Sequence, residues 1–352
     1  MRIPRVTLER LSLALKQPLR TARGTYTARE GFVVRLEDEA GHVGRGEAMP
    51  LPEFGTEGRE ACERALVAHT ERLRGRDIGP GDWDEGLPLN HPAARHAVEQ
   101  AVLELNARRR GVPLCQLLSP EARPELHVNA LLGGTSPEEL AEEARRAVAD
   151  GYATLKLKVA GRPLEEDVAR LQAVRDAVGG AVRVRLDANG GWSEPEAERA
   201  LEGLAGLHPE LCEQPVATDA YQALLRLIPR VPCLLAADES LVSPRARKAL
   251  LDAPPPGLVL VLKPMVLRGL LPALSLARDA AMRGLESYVT SSLDGVLARA
   301  GAAHLAAALP SGAYASGLGV GHLFRDEPEG HPFRPLGGRI VLPRVPGLGV
   351  EG

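Results

Sequence analysis

The sequence predicts an α/β chain in which a small α+β domain is followed by a (β/α) barrel. Two observations predict it: a change of texture near residue 126, and a polar residue recurring at a fixed interval beyond it. Before residue 126, positions 3–15 and 31–38 alternate as strands do, with Gly41 and Gly44 marking turns. Residues 57–74 and 92–110 then read as helices, the second with Ala97, Val98, Ala101, Val102 and Leu105 on one face.

Beyond residue 126, strand-like segments fall at 126–131, 153–159, 182–187, 210–213, 233–238, 258–263 and 286–291, with helical segments between them. Ser136-Pro137-Glu138-Glu139 and Ser193-Glu194-Pro195-Glu196 carry capping-box spacing, and Ser243-Pro244 pairs a cap with a proline. Lys158, Asp187, Glu213, Asp238 and Lys263 lie 29, 26, 25 and 25 residues apart. One strand, one helix and two loops fill about 25–30 residues, the unit of a (β/α) barrel. An open doubly wound sheet has the same local units, but no GxGxxG follows the first strand. The Gly317-Leu318-Gly319-Val320-Gly321 run comes too late for that role and reads as a loop.

Composition narrows the function. At 352 residues with a net charge of -3, the chain has no basic footprint for nucleic acid. No apolar run is long enough to span a membrane, and MRIPRVTLERLSL lacks a signal-peptide core, so a cytoplasmic location is expected. Cys62, Cys115, Cys212 and Cys233 are scattered and read as free core thiols. Only five of the 43 basic residues are lysines, and Lys156, Lys158 and Lys263 sit in apolar strand-like segments. Arginine is never deprotonated in proteins, whereas lysine can serve as a base.

In a barrel, functional groups come from the C-terminal ends of strands. Thr154-Leu155-Lys156-Leu157-Lys158-Val159 alternates, so both lysines share a face; taken alone this also describes an edge strand with two solvated lysines. Three successive strands then end in Asp187, Glu213 and Asp238, and the next in Lys263-Pro264. Converging acids repel unless a hard cation such as magnesium accepts their oxygens. Such a site suits removal of a proton beside a carboxylate, because a divalent cation offsets the charge that develops. A lysine near a metal and a second ammonium has its pKa lowered and can act as the base.

Lys156-Leu157-Lys158, Asp187-Ala188-Asn189, Glu213-Gln214-Pro215, Asp238-Glu239-Ser240 and Lys263-Pro264, in this order, resemble the enolase superfamily, muconate-lactonizing-enzyme subgroup. The resemblance implies an enolase-like fold: an α+β capping domain over 1–125, a modified (β/α)7β TIM-type barrel over 126–320, and a segment over 321–352 returning to the cap. It implies Asp187, Glu213 and Asp238 as ligands of magnesium, for which manganese can substitute. Lys158 is then the base, Lys156 its support and Lys263 the group on the opposite face. A small carboxylate is the substrate, and a homo-oligomer is a family-level expectation.

Gly44-Arg45-Gly46-Glu47-Ala48-Met49-Pro50-Leu51-Pro52-Glu53-Phe54 resembles the GxGExxPLPxF active-site loop of the o-succinylbenzoate synthase family. His127-Val128-Asn129-Ala130-Leu131 is similar to its first barrel strand, and Ser291 and Ser292 to the serines ending its seventh. Asn189, Ser291, Ser292 and Phe54 are thereby implied as substrate-binding; Arg20 and Arg23, in the other capping loop, read either as carboxylate-binding residues, with Arg20 the candidate, or as ordinary exposed arginines. The implied reaction is magnesium-dependent dehydration of 2-succinyl-6-hydroxy-2,4-cyclohexadiene-1-carboxylate to 2-succinylbenzoate, in menaquinone synthesis. Glu53 departs from the glycine common in this loop, which puts the loop's shape in question. The alternatives are an N-succinylamino acid racemase or a dipeptide epimerase of the same superfamily and, more remotely, a non-catalytic scaffold. Dipeptide epimerases carry Asp-x-Asp at the eighth strand, and Tyr314–Val320 has no acid.

Overall fold

The computed structural model describes residues 1–21, 24–79, 82–252, 254–327 and 330–350. Strands β1 (Arg5–Thr21), β2 (Gly24–Glu37) and β3 (Val43–Ala48) form an antiparallel meander, longer than the alternation at 3–15 and 31–38 indicates. Helices α1 (Arg59–Leu73) and α2 (Pro92–Arg110) pack against it. Gly44 and Gly46 permit this approach: a Cβ on either would come within 2.0 and 1.8 Å of the Ala101 and Ala97 carbonyl oxygens of α2. The sequence suggests one apolar face for α2, but the helix is buried on nearly every side. It lies between the cap sheet and the barrel, so Glu99, Gln100 and Glu104 are buried too.

After α3 (Leu114–Leu118), the predicted strand at 126–131 divides into β4 (Glu125–His127) and β5 (Ala130–Leu132). From β5, seven parallel strands run side by side in chain order: β6 (Thr154–Lys158), β7 (Arg183–Asp187), β8 (Leu211–Glu213), β9 (Leu234–Ala237), β10 (Leu258–Leu262) and β11 (Glu286–Val289) complete the set. Helices α4 (Pro137–Ala149), α5 (Leu164–Val178), α6 (Glu194–Leu204), α7 (Tyr221–Leu227), α8 (Pro244–Asp252), α9 (Leu270–Ala281) and α10 (Val296–Ala308) alternate with them. Both capping boxes form, at Ser136/Glu139 and Ser193/Glu196, and the Ser243 hydroxyl accepts from the Ala246 N–H at 3.3 Å.

The Gly317–Gly321 run is not simply a loop. Ser316 bonds the backbone of His127 and Asn129 on one side, and Gly317 bonds Val289 and Ser291 on the other. This short segment closes the barrel in the place of an eighth strand, and Val320–Leu323 then forms a 3-10 turn. The tail strand β12 (Arg339–Val341) pairs antiparallel with β4, and Gly347 bonds Val112 and Leu114 beside α3. Among the described residues no helix is long and apolar enough to cross a membrane.

Two buried glutamates fasten the cap to the barrel. Glu47, on β3, accepts from the N–H groups of Gly295 (2.6 Å) and Ala298 (3.3 Å) at the start of α10. Glu99, on α2, accepts from those of Leu270 and Leu271 at the start of α9. These N–H groups have no partner within their own helices, and the positive helix end favours a carboxylate.

Burial raises Glu47 from the ordinary 4.5 to about 7, with Asp294 adding to it, and burial raises Glu99 to about 8. The folded protein therefore holds protons there that the unfolded chain releases above about 4.5, so this contribution to stability is full below that pH. It is lost as pH rises through 7 and 8. We predict that the melting temperature falls between about pH 4.5 and 8 and levels off above that. Glu99→Gln, which keeps an acceptor but does not titrate, should flatten that fall. Parallel calorimetric profiles for the two proteins would refute the assignment.

Candidate active site

The period-2 geometry of the strands sends alternate side chains into the barrel, and the last inward positions carry the charge. Lys158, Asp187 and Glu213 are register partners on β6, β7 and β8. Asp238 and Lys263 directly follow β9 and β10. Below them Leu211, Ala236, Val259, Val261 and Tyr288 pack together, with the buried Arg185 guanidinium against the Tyr288 ring.

The lysines pair with the acids. The Lys156 ammonium donates to Glu213 Oε1 at 2.7 Å and lies 2.9 Å from Asp187 Oδ2. Lys263 donates to Asp238 Oδ2 and lies 5.1 Å from the centre of the Phe54 ring. Lys158 is exposed in the mouth, and its Nζ donates to Asn189 Oδ1 at 3.1 Å. Burial alone would lower the Lys156 and Lys263 ammonium groups. The carboxylates facing them outweigh it and hold both above the ordinary lysine value. Burial would likewise raise Glu213, but Lys156 and then Lys263 hold it at about 2.

The turns after the strands are fixed by side chains less conspicuous in the sequence. Gln214 has a positive φ of 41°, and its amide accepts from the N–H groups of Asp238 and Ser240 and donates to Val216 O and Ser240 Oγ. Asn189, at φ 44°, donates through Nδ2 to Glu239 Oε1 at 3.2 Å. Such backbone persists only where its surroundings hold it, and here those bonds orient Asp187 and Asp238. Gln214 and Glu239 stand inside the quoted motifs, beside the residues that drew attention. Tyr288, whose hydroxyl donates to Glu213 Oε2 at 2.8 Å, falls mid-strand where an aromatic reads as core.

The cap reaches the mouth through the loop after β3. Buried Arg29, on β2, donates to Met49 O (2.9 Å), Pro50 O (3.2 Å) and Leu293 O (3.3 Å), tying this loop to the one after β11. Glu53 is exposed on a 3-10 turn over Pro52–Phe54, and Phe54 remains on the Lys263 side. Ser292 is buried beside Asp294, which accepts from its N–H, and its hydroxyl is among the buried polar atoms without a partner. Ser291 is half-buried, its hydroxyl 3.5 Å from Gly317 O. The side chain of Arg20 and all of Arg23 lie outside the described residues.

Asp187, Glu213 and Asp238 are the residues that could hold a divalent cation. Among the described residues no three acids, histidines or cysteines are gathered as a ready metal cage, and Lys156 and Lys263 are paired with the carboxylates. The donor set nonetheless fits magnesium: three buried carboxylates end adjacent strands and offer only hard oxygens.

A barrel with opposed lysines and strand-end acids at its mouth defines a class of enzyme built around proton transfer. Residues 139–352 match the family described as "Enolase C-terminal domain-like", and residues 3–88 match "MenC, N-terminal domain". The chain belongs to the enolase superfamily, in its muconate-lactonizing-enzyme subgroup. The L-Ala-D/L-Glu epimerase of Bacillus subtilis is 33% identical over 315 residues, 87% of this chain and 85% of that protein. The o-succinylbenzoate synthase of Thermosynechococcus vestitus is 33% identical over 297 residues, 83% of this chain and 85% of that one. A dipeptide epimerase from Enterococcus faecalis, solved with Mg and the dipeptide L-Leu-L-Tyr, superposes with a TM-score of 0.89 at 27% identity, covering 99% of each chain.

Replacing Lys156 by methionine removes the cation between two buried anions. Breaking a buried pair from one side costs about 3–5 kcal/mol. We predict that Lys156→Met loses stability on this scale in metal-free buffer, measured by urea unfolding. A loss under about 1 kcal/mol would mean that the pair is as weak as a solvated one.

Proposed function

We propose that the protein is an o-succinylbenzoate synthase that uses magnesium held by Asp187, Glu213 and Asp238. The observation that carries this reading is the barrel-closing segment. Tyr314–Val320 completes the wall with no carboxylate, so nothing there balances the ammonium of a dipeptide. A doubly anionic substrate needs no such partner. The MenC-type N-terminal match supports the same choice, whereas identity does not separate synthase from epimerase.

In this reading the unprotonated Lys158 amine, exposed in the mouth, takes the proton from the ring carbon bearing the carboxylate. The electron pair of that C–H bond moves onto the carboxylate as an enediolate, and it returns to form the last ring double bond as the hydroxyl leaves. The C–O bond to the ring hydroxyl then breaks, and Lys158 returns its proton so that water departs. Magnesium, when bound, supplies stabilisation of the carboxylate's growing charge. Lys156 bridges Asp187 and Glu213 and adds positive charge beside that carboxylate. Lys263, held protonated by Asp238, presents a cation to the opposite face of the ring. Ser291 and Ser292 offer donors to the succinyl carboxylate at the end of β11.

Racemisation of N-succinylamino acids is the second reading, favoured by lysines on both sides of the mouth. It asks Lys263 to give up the proton that Asp238 helps it keep. Lys158→Ala should reduce turnover by about 10²–10⁴-fold, and substantial residual activity would remove it as base. Lys263→Arg keeps the charge but cannot act as a base. It should retain synthase activity in part and lose racemisation, and equal loss of both would count against this division. Chelating magnesium should stop turnover and re-addition restore it. Comparing turnover of the cyclohexadiene with α-proton exchange of N-succinylamino acids in deuterated water tests the proposal directly. Exchange without dehydration would overturn it.

A further inference from the structure

We infer that Tyr288 is a positioning residue for Glu213, and that Arg185 holds its phenol in place from within the barrel. The inference rests on the reading of Glu213 as a metal ligand. The two oxygens of Glu213 are divided between two donors: Oε1 accepts from Lys156 at 2.7 Å and Oε2 from the Tyr288 hydroxyl at 2.8 Å. Tyr288 stands on β11, three strands from β8 in the sheet, so its side chain crosses the interior to reach this carboxylate. Glu213 and Tyr288 are buried, and Lys156 is half-buried.

A phenol in this place is not explained by packing. Its ring lies among Leu211, Ala236, Val259 and Val261, where phenylalanine would fill the same volume. A hydroxyl buried there is costly unless it is bonded, and Glu213 supplies the bond. Burial and the nearby Glu213 charge both keep the phenol protonated, so it is the donor.

Arg185 braces the ring from β7. Its guanidinium lies 4.5 Å from the Tyr288 ring centre and 5.5 Å from that of Tyr314. It is anchored by Nε to Glu210 Oε2 at 2.5 Å and by Nη1 to Ala315 O at 2.7 Å. The barrel-closing segment, through Ala315, is thus connected to a carboxylate of the mouth. Tyr288 fixes the rotation of the Glu213 carboxylate and draws charge from one oxygen. Partners of this kind typically alter metal affinity by about 10–100-fold.

The test is calorimetric titration of magnesium into the full chain without substrate. Tyr288→Phe should raise the magnesium Kd by about 10–100-fold, with kcat recovering in part at saturating magnesium. Tyr314→Phe removes a hydroxyl from the same stack that does not meet Glu213, and should leave the Kd unchanged. Equal affinity in wild type and Tyr288→Phe overturns the inference. Absence of magnesium binding in the wild type overturns the metal-ligand reading itself, and with it this one. Should Tyr288→Phe fail to fold, 3-fluorotyrosine placed at position 288 reports on the native hydrogen bond. Its fluorine resonance should move as magnesium is added, and a resonance that stays fixed at saturation overturns the inference.

Discussion

The mouth of this barrel depends on the Lys156 ammonium between Asp187 and Glu213. Parallel strands in register place their terminal side chains close together, so adjacent acids repel in a region of low dielectric. A cation between them turns that repulsion into two attractive contacts. Lys263 pairs with Asp238, so the three acids of successive strands are flanked by ammonium groups on either side. The packed layer beneath excludes water and strengthens each of these contacts.

The lysines of the mouth are not equivalent. Lys156 and Lys263 are largely enclosed and matched to carboxylates, whereas Lys158 is exposed and bonded to a neutral amide. The difference arises from position along one alternating strand: Lys158 is two residues nearer the rim than Lys156, beyond the reach of Glu213.

The strands and helices of the barrel were legible in the sequence because each repeat carries its own local signals. Apolar runs ended at Asp187, Glu213 and Lys263, and capping boxes at Ser136 and Ser193 marked helix starts. The α2 boundaries at Pro92 and Arg110 match their expected positions, since proline and a following glycine punctuate the helix. The closing segment was not legible, because two bridging residues at Ser316 and Gly317 show no periodicity. Tyr288, Glu47 and Glu99 escaped for a different reason. Their partners lie 75 to 251 residues away, and only the folded chain brings them together. The acids themselves were visible, but the lysines seated on them were not, because ion pairing between strands leaves no mark within either one.

Glu47 and Glu99 also bear on how this architecture can diversify. Each is a cap residue that completes a barrel helix, so helices α9 and α10 lack part of their N-terminal hydrogen bonding without the first 110 residues of the chain. The two regions are therefore not interchangeable parts. A cap recombined from a relative would have to bring both carboxylates at the correct height, or leave two helix ends buried without acceptors. Changes in substrate are accordingly easier to accommodate in the loop after β3 and at the strand ends than by exchange of the whole cap.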